Sequence, residues 1–168
     1  ESYIANASHV CSMITAWENR WYQRNLVDRD PDGVSERIKG TLEKAEAMTP
    51  EDYQGLLLKR ENVRTAYASL SSLADAIITL ACPGPAPLWG GDVLGQAPAL
   101  WPTGDPVFNY PSSMIGAPVV TIPMMAVNHM PLGVQIMGQR GEDARVTSFA
   151  RWVYENIECT VVRESTHE

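Results

Sequence analysis

Cysteine is scarce in this sequence. Cys11, Cys82 and Cys159 are widely spaced, odd in number, and form no Cys-x-x-Cys pair. That argues against a small disulfide-stapled secreted domain, and it fits a reducing, cytoplasmic setting. Cys82 has no Lys, Arg or His beside it, so a thiol nucleophile there has no support. Histidine is equally sparse: His9, His129 and His167 stand apart, so no metal site is expected. The only lysines are Lys39, Lys44 and Lys59. The net charge is -7 and no basic run occurs, which argues against a nucleic-acid groove. No apolar run approaches the length of a membrane span, and the start carries no signal-peptide pattern. Internal repeats and low-complexity tracts are absent as well.

Hydrophobic residues make up 45% of the 168, enough for one domain with its own core. The first residues already recur at helical spacing: Ile4, Ala7, Cys11, Ile14, Trp17 or Glu18, and Trp21. No cap precedes them, which suggests a piece cut from something longer. "DRDPDG", residues 28–33, reads as a turn, and a second helix is expected over 34–48. Thr49 as cap, Pro50 at the first helical position and Glu51-Asp52 behind it open a third helix, expected to reach about Ala74. Its apolar stripe is Tyr53, Leu56, Leu57, Val63, Tyr67 and Leu70.

Beyond residue 74 the pattern changes. "DAIITLA", residues 75–81, is a short apolar run that suits a strand buried on both faces. The Pro- and Gly-rich stretch from Cys82 to Pro102 is expected to be a loop. A short helix near 110–115, strands at 118–123 and 132–137, and a closing helix over 142–156 follow. Val146, Phe149, Ala150 and Val153 should face inward on that helix. "ECTVVRE" suggests a last strand. The organisation is therefore one α/β segment, helical over 1–74 and strand-bearing over 75–162.

Four stretches resemble the amidase signature family: "MTPEDYQGLLLKRENVRTAYASL", "SSLADAIITLACPGPAP", "TGDPVFNYPSSMIGAPVVTIP" and "MPLGVQIMGQRGEDARVTSFARWV". They run in order over about residues 48–155. The resemblance implies the C-terminal part of that fold, a mixed β-sheet covered by helices on both faces. It also implies hydrolysis of a carboxamide, an ester or a carbamate by a serine nucleophile. In the family a second serine relays the proton to a lysine base, and a Gly-Ser-rich loop holds the oxyanion.

No such loop exists here. The two Ser-Ser pairs, Ser71-Ser72 and Ser112-Ser113, lack glycine-rich surroundings, and the three lysines fall on expected helices with solvated neighbours. No catalytic residue is therefore expected in this chain. The resemblance implies a partner, the N-terminal chain of the same enzyme, which carries the catalytic serines and lysine. It implies a small-molecule amide substrate and no cofactor, metal, nucleic acid or membrane; a homo-oligomer of the assembled enzyme is left open. The alternatives are a non-catalytic binding or assembly remnant, and the A subunit of a glutamine-dependent amidotransferase.

Five residues are candidates for the substrate side: Trp89, Trp101, Asn109, Met114 and Ile115. The two tryptophans flank the long loop and suit either an apolar pocket mouth or core filling. Asp105 is expected to shape a turn and Asn109 to cap the short helix, close to the cavity the family fold implies. Met114 and Ile115, with Met124, Met125 and Met130, form an adaptable apolar group that fits a core or a permissive pocket. Gln135, polar within an apolar strand, is expected to bond neighbouring backbone and fix a loop. His129 falls in a hairpin-like turn and is read as exposed.

Overall fold

The computed structural model describes residues 7–86 and 105–162. Helices α1 (Ala7–Arg29), α2 (Glu36–Glu46) and α3 (Pro50–Ser69) come first, and a 3-10 turn at Leu70–Ser72 extends α3. Strand β1 (Ile77–Leu80), helix α4 (Asn109–Ile115), strands β2 (Val119–Val127) and β3 (Met130–Met137), helix α5 (Asp143–Asn156) and strand β4 (Thr160–Val162) follow. Contacts divide these residues into two compact units, split between Val63 and Arg64. None of the described helices is long and apolar enough to cross a membrane.

In the first unit, α1 packs on α2 through Val10, Ile14, Leu42 and Ala45, all buried. The turn between them is closed by Asp30, whose carboxylate accepts the Gly33 N–H at 3.0 Å. The expected stripe on α1 is displaced: Trp21 is 62% exposed, and Val10 takes the buried place beside Ile14. The Arg20 and Arg24 guanidinium groups lie 5.1 and 5.0 Å from the Trp21 ring, so cations rather than core cover it. The start of α3 is as the sequence suggests. The Thr49 hydroxyl accepts the Asp52 N–H at 3.2 Å, and the Asp52 carboxylate accepts the Thr49 N–H at 2.9 Å. This reciprocal box satisfies donors that a helix start leaves orphaned. The same bonds, the backbone one first, hold the Asp52 carboxyl below the usual carboxylate range.

Among the described residues, the second unit holds a four-stranded mixed sheet in the order β1-β3-β2-β4. β3 pairs antiparallel with both β1 and β2, while β4 joins β2 in parallel. A two-residue turn links β2 to β3. Asn128 and His129 have φ of 49° and 67°, the pair of left-handed residues that a tight hairpin needs. The sequence predicts that β2 ends at Pro123, but the strand continues to Val127. The register shifts between Pro123 and Met125, and a bulge tolerates a residue with no N–H to give the ladder. β1 departs from expectation too: among the described residues it is an edge strand, and Ile78 is 58% exposed. Its apolar run does not by itself tell an edge from a centre.

Helix α5 covers one face of the sheet. Val146 and Ala150 pack on Ile122, Met124 and Ile136, with Phe149 and Val153 at the margin, as their helical spacing predicts. Close approach depends on Gly138, which follows β3: a Cβ there would overlap the Val146 side chain. Hydrogen bonds to β3 also hold the last turns of α3 and the residue before α4.

Two outcomes follow from this packing. Gly138→Ala should overpack the α5 contact and cost about 1–3 kcal/mol, read as a lower urea midpoint at unchanged m-value. The Asp52 carboxyl has a lower pKa folded than unfolded, so its stabilisation is present above the unfolded value. It is lost as pH falls through the folded one. The stability gap between the wild type and Asp52→Ala should therefore be present at neutral pH and shrink on acidification through and below the carboxylate range.

Candidate functional site

The strand register builds the site. Thr79 of β1, Gln135 of β3 and Thr121 of β2 lie directly opposite one another, so they share one face of the sheet. This is the face away from α5, because neighbouring Ile136 belongs to the α5 core. Gln135 is 2% exposed. Its Nε2 donates to the Thr79 hydroxyl at 2.9 Å, the Leu80 carbonyl at 3.0 Å and the Phe108 carbonyl at 3.1 Å. A buried amide is tolerable only when satisfied, and here its donors are shared among three acceptors. The expectation that Gln135 bonds backbone holds.

Helix α4 is fixed at both ends on this face. At its start, the Asp105 carboxylate accepts the Val107 N–H at 3.0 Å, the turn expected of it. The Pro106 carbonyl accepts the Asn109 and Tyr110 N–H groups at 2.8 and 3.1 Å. Asn109 is not the cap: Phe108 occupies that position, no side chain caps the helix, and Asn109 is its exposed first residue. The Pro106 carbonyl already takes two of the early N–H groups, which leaves little for a side-chain cap to do. At its end, Arg64 Nε donates to the Met114 carbonyl at 3.1 Å, a cation at the negative end of a helix. Gly116 closes α4 in the left-handed conformation, φ 61°, and a Cβ there would meet the Arg64 guanidinium at 2.9 Å.

Tyr67 adds a third tie. Its hydroxyl donates to the Met137 carbonyl at 3.1 Å, and burial pushes the phenol pKa up. Met114 and Ile115 are buried, at 1% and 7% exposure, and anchor α4. Asn109 stands clear of that anchor on the exposed side. The structure thus brings Asn109, Met114 and Ile115 together on one short helix. Trp89 and Trp101 lie outside the described residues. Sequence reasoning missed Arg64 and Tyr67, whose partners are 50 and 70 residues away, a separation that leaves no local signal.

This arrangement holds and shapes, and the Thr79 and Tyr67 hydroxyls are both engaged in it. Ser72 donates to the Ser69 carbonyl at 3.0 Å and Ser112 to the Asn109 carbonyl at 2.9 Å, both bonds of structural serines. Lys39 pairs with Glu36 at 2.8 Å one turn away, and Lys44 and Lys59 are exposed. Among the described residues no group of three or more His, Cys, Asp or Glu converges on a metal position.

A family model described as Amidase matches residues 3–147. Two proteins, each described as the A subunit of a glutamyl-tRNA(Gln) amidotransferase, are 34% identical to this chain where they align. One, from Thermotoga maritima, aligns over 50 residues, 30% of this chain and 10% of that protein. The other, from Pseudothermotoga lettingae, aligns over 77 residues, 46% of this chain and 16% of that protein. The crystal structure of an amidase superposes with a TM-score of 0.75 at 24% identity, covering 90% of this chain and 36% of that one. The chain thus spans about a third of that structure, and the aligned stretches far less of the two amidotransferase proteins.

The α4 clamp predicts two losses. Gly116→Ala should cost about 1–2 kcal/mol from backbone strain alone. Tyr67→Phe should cost about 1 kcal/mol by leaving one acceptor of Met137 unbonded. Chemical denaturation monitored by tryptophan fluorescence reads both.

Proposed function

The chain belongs to the amidase family, and from that premise we propose that it is the scaffold-bearing C-terminal part of an amide-bond hydrolase. The carrying observation is the family match over residues 3–147 in a chain with no Gly-Ser-rich loop and no lysine beyond Lys59. The N-terminal part, on a separate polypeptide, supplies the serine nucleophile, the relaying serine and the lysine base. The serine attacks the amide carbonyl, the amine leaves with a proton, and water releases the acyl group from the resulting ester. This chain supplies sheet strands, covering helices and the acyl-side wall. Asn109 on its fixed helix reaches the substrate, Met114 and Ile115 hold that helix in place, and Trp89 and Trp101 extend the wall.

The sheet edges support this division. β1 and β4 each have one strand partner among the described residues, and both show apolar side chains: Ile78 on β1, Val161 and Val162 on β4. Apolar edges invite further pairing. A second reading, the A subunit of a glutamine-dependent amidotransferase, is favoured by the two relatives that carry that description.

The test is to identify every polypeptide in the native preparation and assay it on simple aliphatic and aryl amides. A partner bearing a Gly-Ser-Ser-Gly-type loop should accompany activity, and replacing its nucleophilic serine by alanine should lower kcat by about a thousand-fold or more. The isolated 168-residue chain should show no turnover. Turnover by that chain alone sinks the proposal, glutamine- and tRNA-dependent product favours the amidotransferase, and a preparation with no partner and no activity favours a binding remnant.

A further inference from the structure

Strand β1 ends at Leu80, and Phe108 directly precedes α4. Both points bond to one atom, Gln135 Nε2, at 3.0 and 3.1 Å. We propose that Gln135 is a positioning residue that ties two feet, the end of β1 and the residue before α4, to the central strand, and so fixes α4 on the acyl side. The wall role rests on the function proposed above, whereas the clamp itself rests on geometry alone.

Three features favour Gln135 over other side chains for this task. β3 lies between β1 and β2, so its position is fixed by ladders on both sides. The residue is buried, so water offers its acceptors little competition. A primary amide carries two N–H groups on one nitrogen, which lets one atom hold two carbonyls that a hydroxyl or a carboxylate could not. Thr79 completes the arrangement: its hydroxyl accepts from Gln135 and donates to the Leu80 carbonyl at 3.1 Å. The β1 foot is in this way bonded to Gln135 both directly and through Thr79.

Hydrogen exchange on the native preparation tests the clamp. The reporting amides are Ala81, bonded to the Gly133 carbonyl, and Asn109 and Tyr110, bonded to the Pro106 carbonyl. Gln135→Met keeps the bulk and removes the donors. Exchange in peptides covering 77–86 and 105–115 should quicken about tenfold, the scale of one or two lost buried hydrogen bonds. Peptides covering 143–156 should change less than about twofold if the effect is local. Equal acceleration everywhere, or none at the feet, overturns the proposal. If Gln135→Met does not fold, Gln135→Asn, which draws the amide back by one methylene, is read the same way. Failure of both to fold also overturns it, because Gln135 is then a core requirement and not a local clamp.

In the assembled amidase, loosening the wall should raise KM for an amide several-fold with kcat nearly kept, the signature of lost uniform binding. Loosened feet with an unchanged KM uphold the clamp and remove the wall role from the proposed function.

Discussion

The second unit depends on one constraint: β3 is buried on both faces. Gln135 and Ile136 are neighbours in sequence, nearly inaccessible, and point in opposite directions. One faces a polar row between two threonines, and the other faces the apolar layer under α5. A slip of one residue would push the carboxamide against Val146 and Ala150 with no partners there. It would also set Ile136 among the backbone carbonyls that Gln135 now satisfies. Burying an unsatisfied amide costs about 1–3 kcal/mol by mutational measures, and a register slip would repeat such errors along the strand. The pairing of β3 is thus specified from both sides at once, and its neighbours inherit that register.

What was legible in the sequence was what local chemistry decides. Thr49, Pro50 and Asp52 announce the start of α3 because a capping box needs only residues three apart. Val146, Phe149, Ala150 and Val153 announce the inward face of α5 because one face of a helix is a spacing rule. Asn128-His129 reads as a turn because a short hairpin needs two left-handed residues.

The rest was hidden for physical reasons. Pro123 looks like the end of β2, and only a bulge, which depends on the partner strand, lets the ladder continue past it. Asn109 looks like a cap, but the Pro106 carbonyl reaches the early amides first. The bonds from Arg64 and Tyr67 depend on which helix turn meets which strand end, a tertiary outcome that spacing does not encode. The polar half of the site was visible as a lone glutamine in an apolar strand; its three acceptors were not.

β1 carries the sharpest mismatch between composition and surroundings. "AIITLA" has the make-up of a strand with cover on both sides, yet among the described residues it is an edge with Ile78 largely exposed. Single exposed apolar side chains are ordinary, but an apolar edge strand also offers unpaired backbone groups, and proteins usually blunt such edges with charge, proline or a bulge. β1 has none of these within its four residues, and β4, at the other edge, repeats the pattern with Val161 and Val162. Two unblunted edges on one small sheet are what a sheet open to further strands would present at its seams. It is an edge chemistry that a self-sufficient sheet would have reason to avoid.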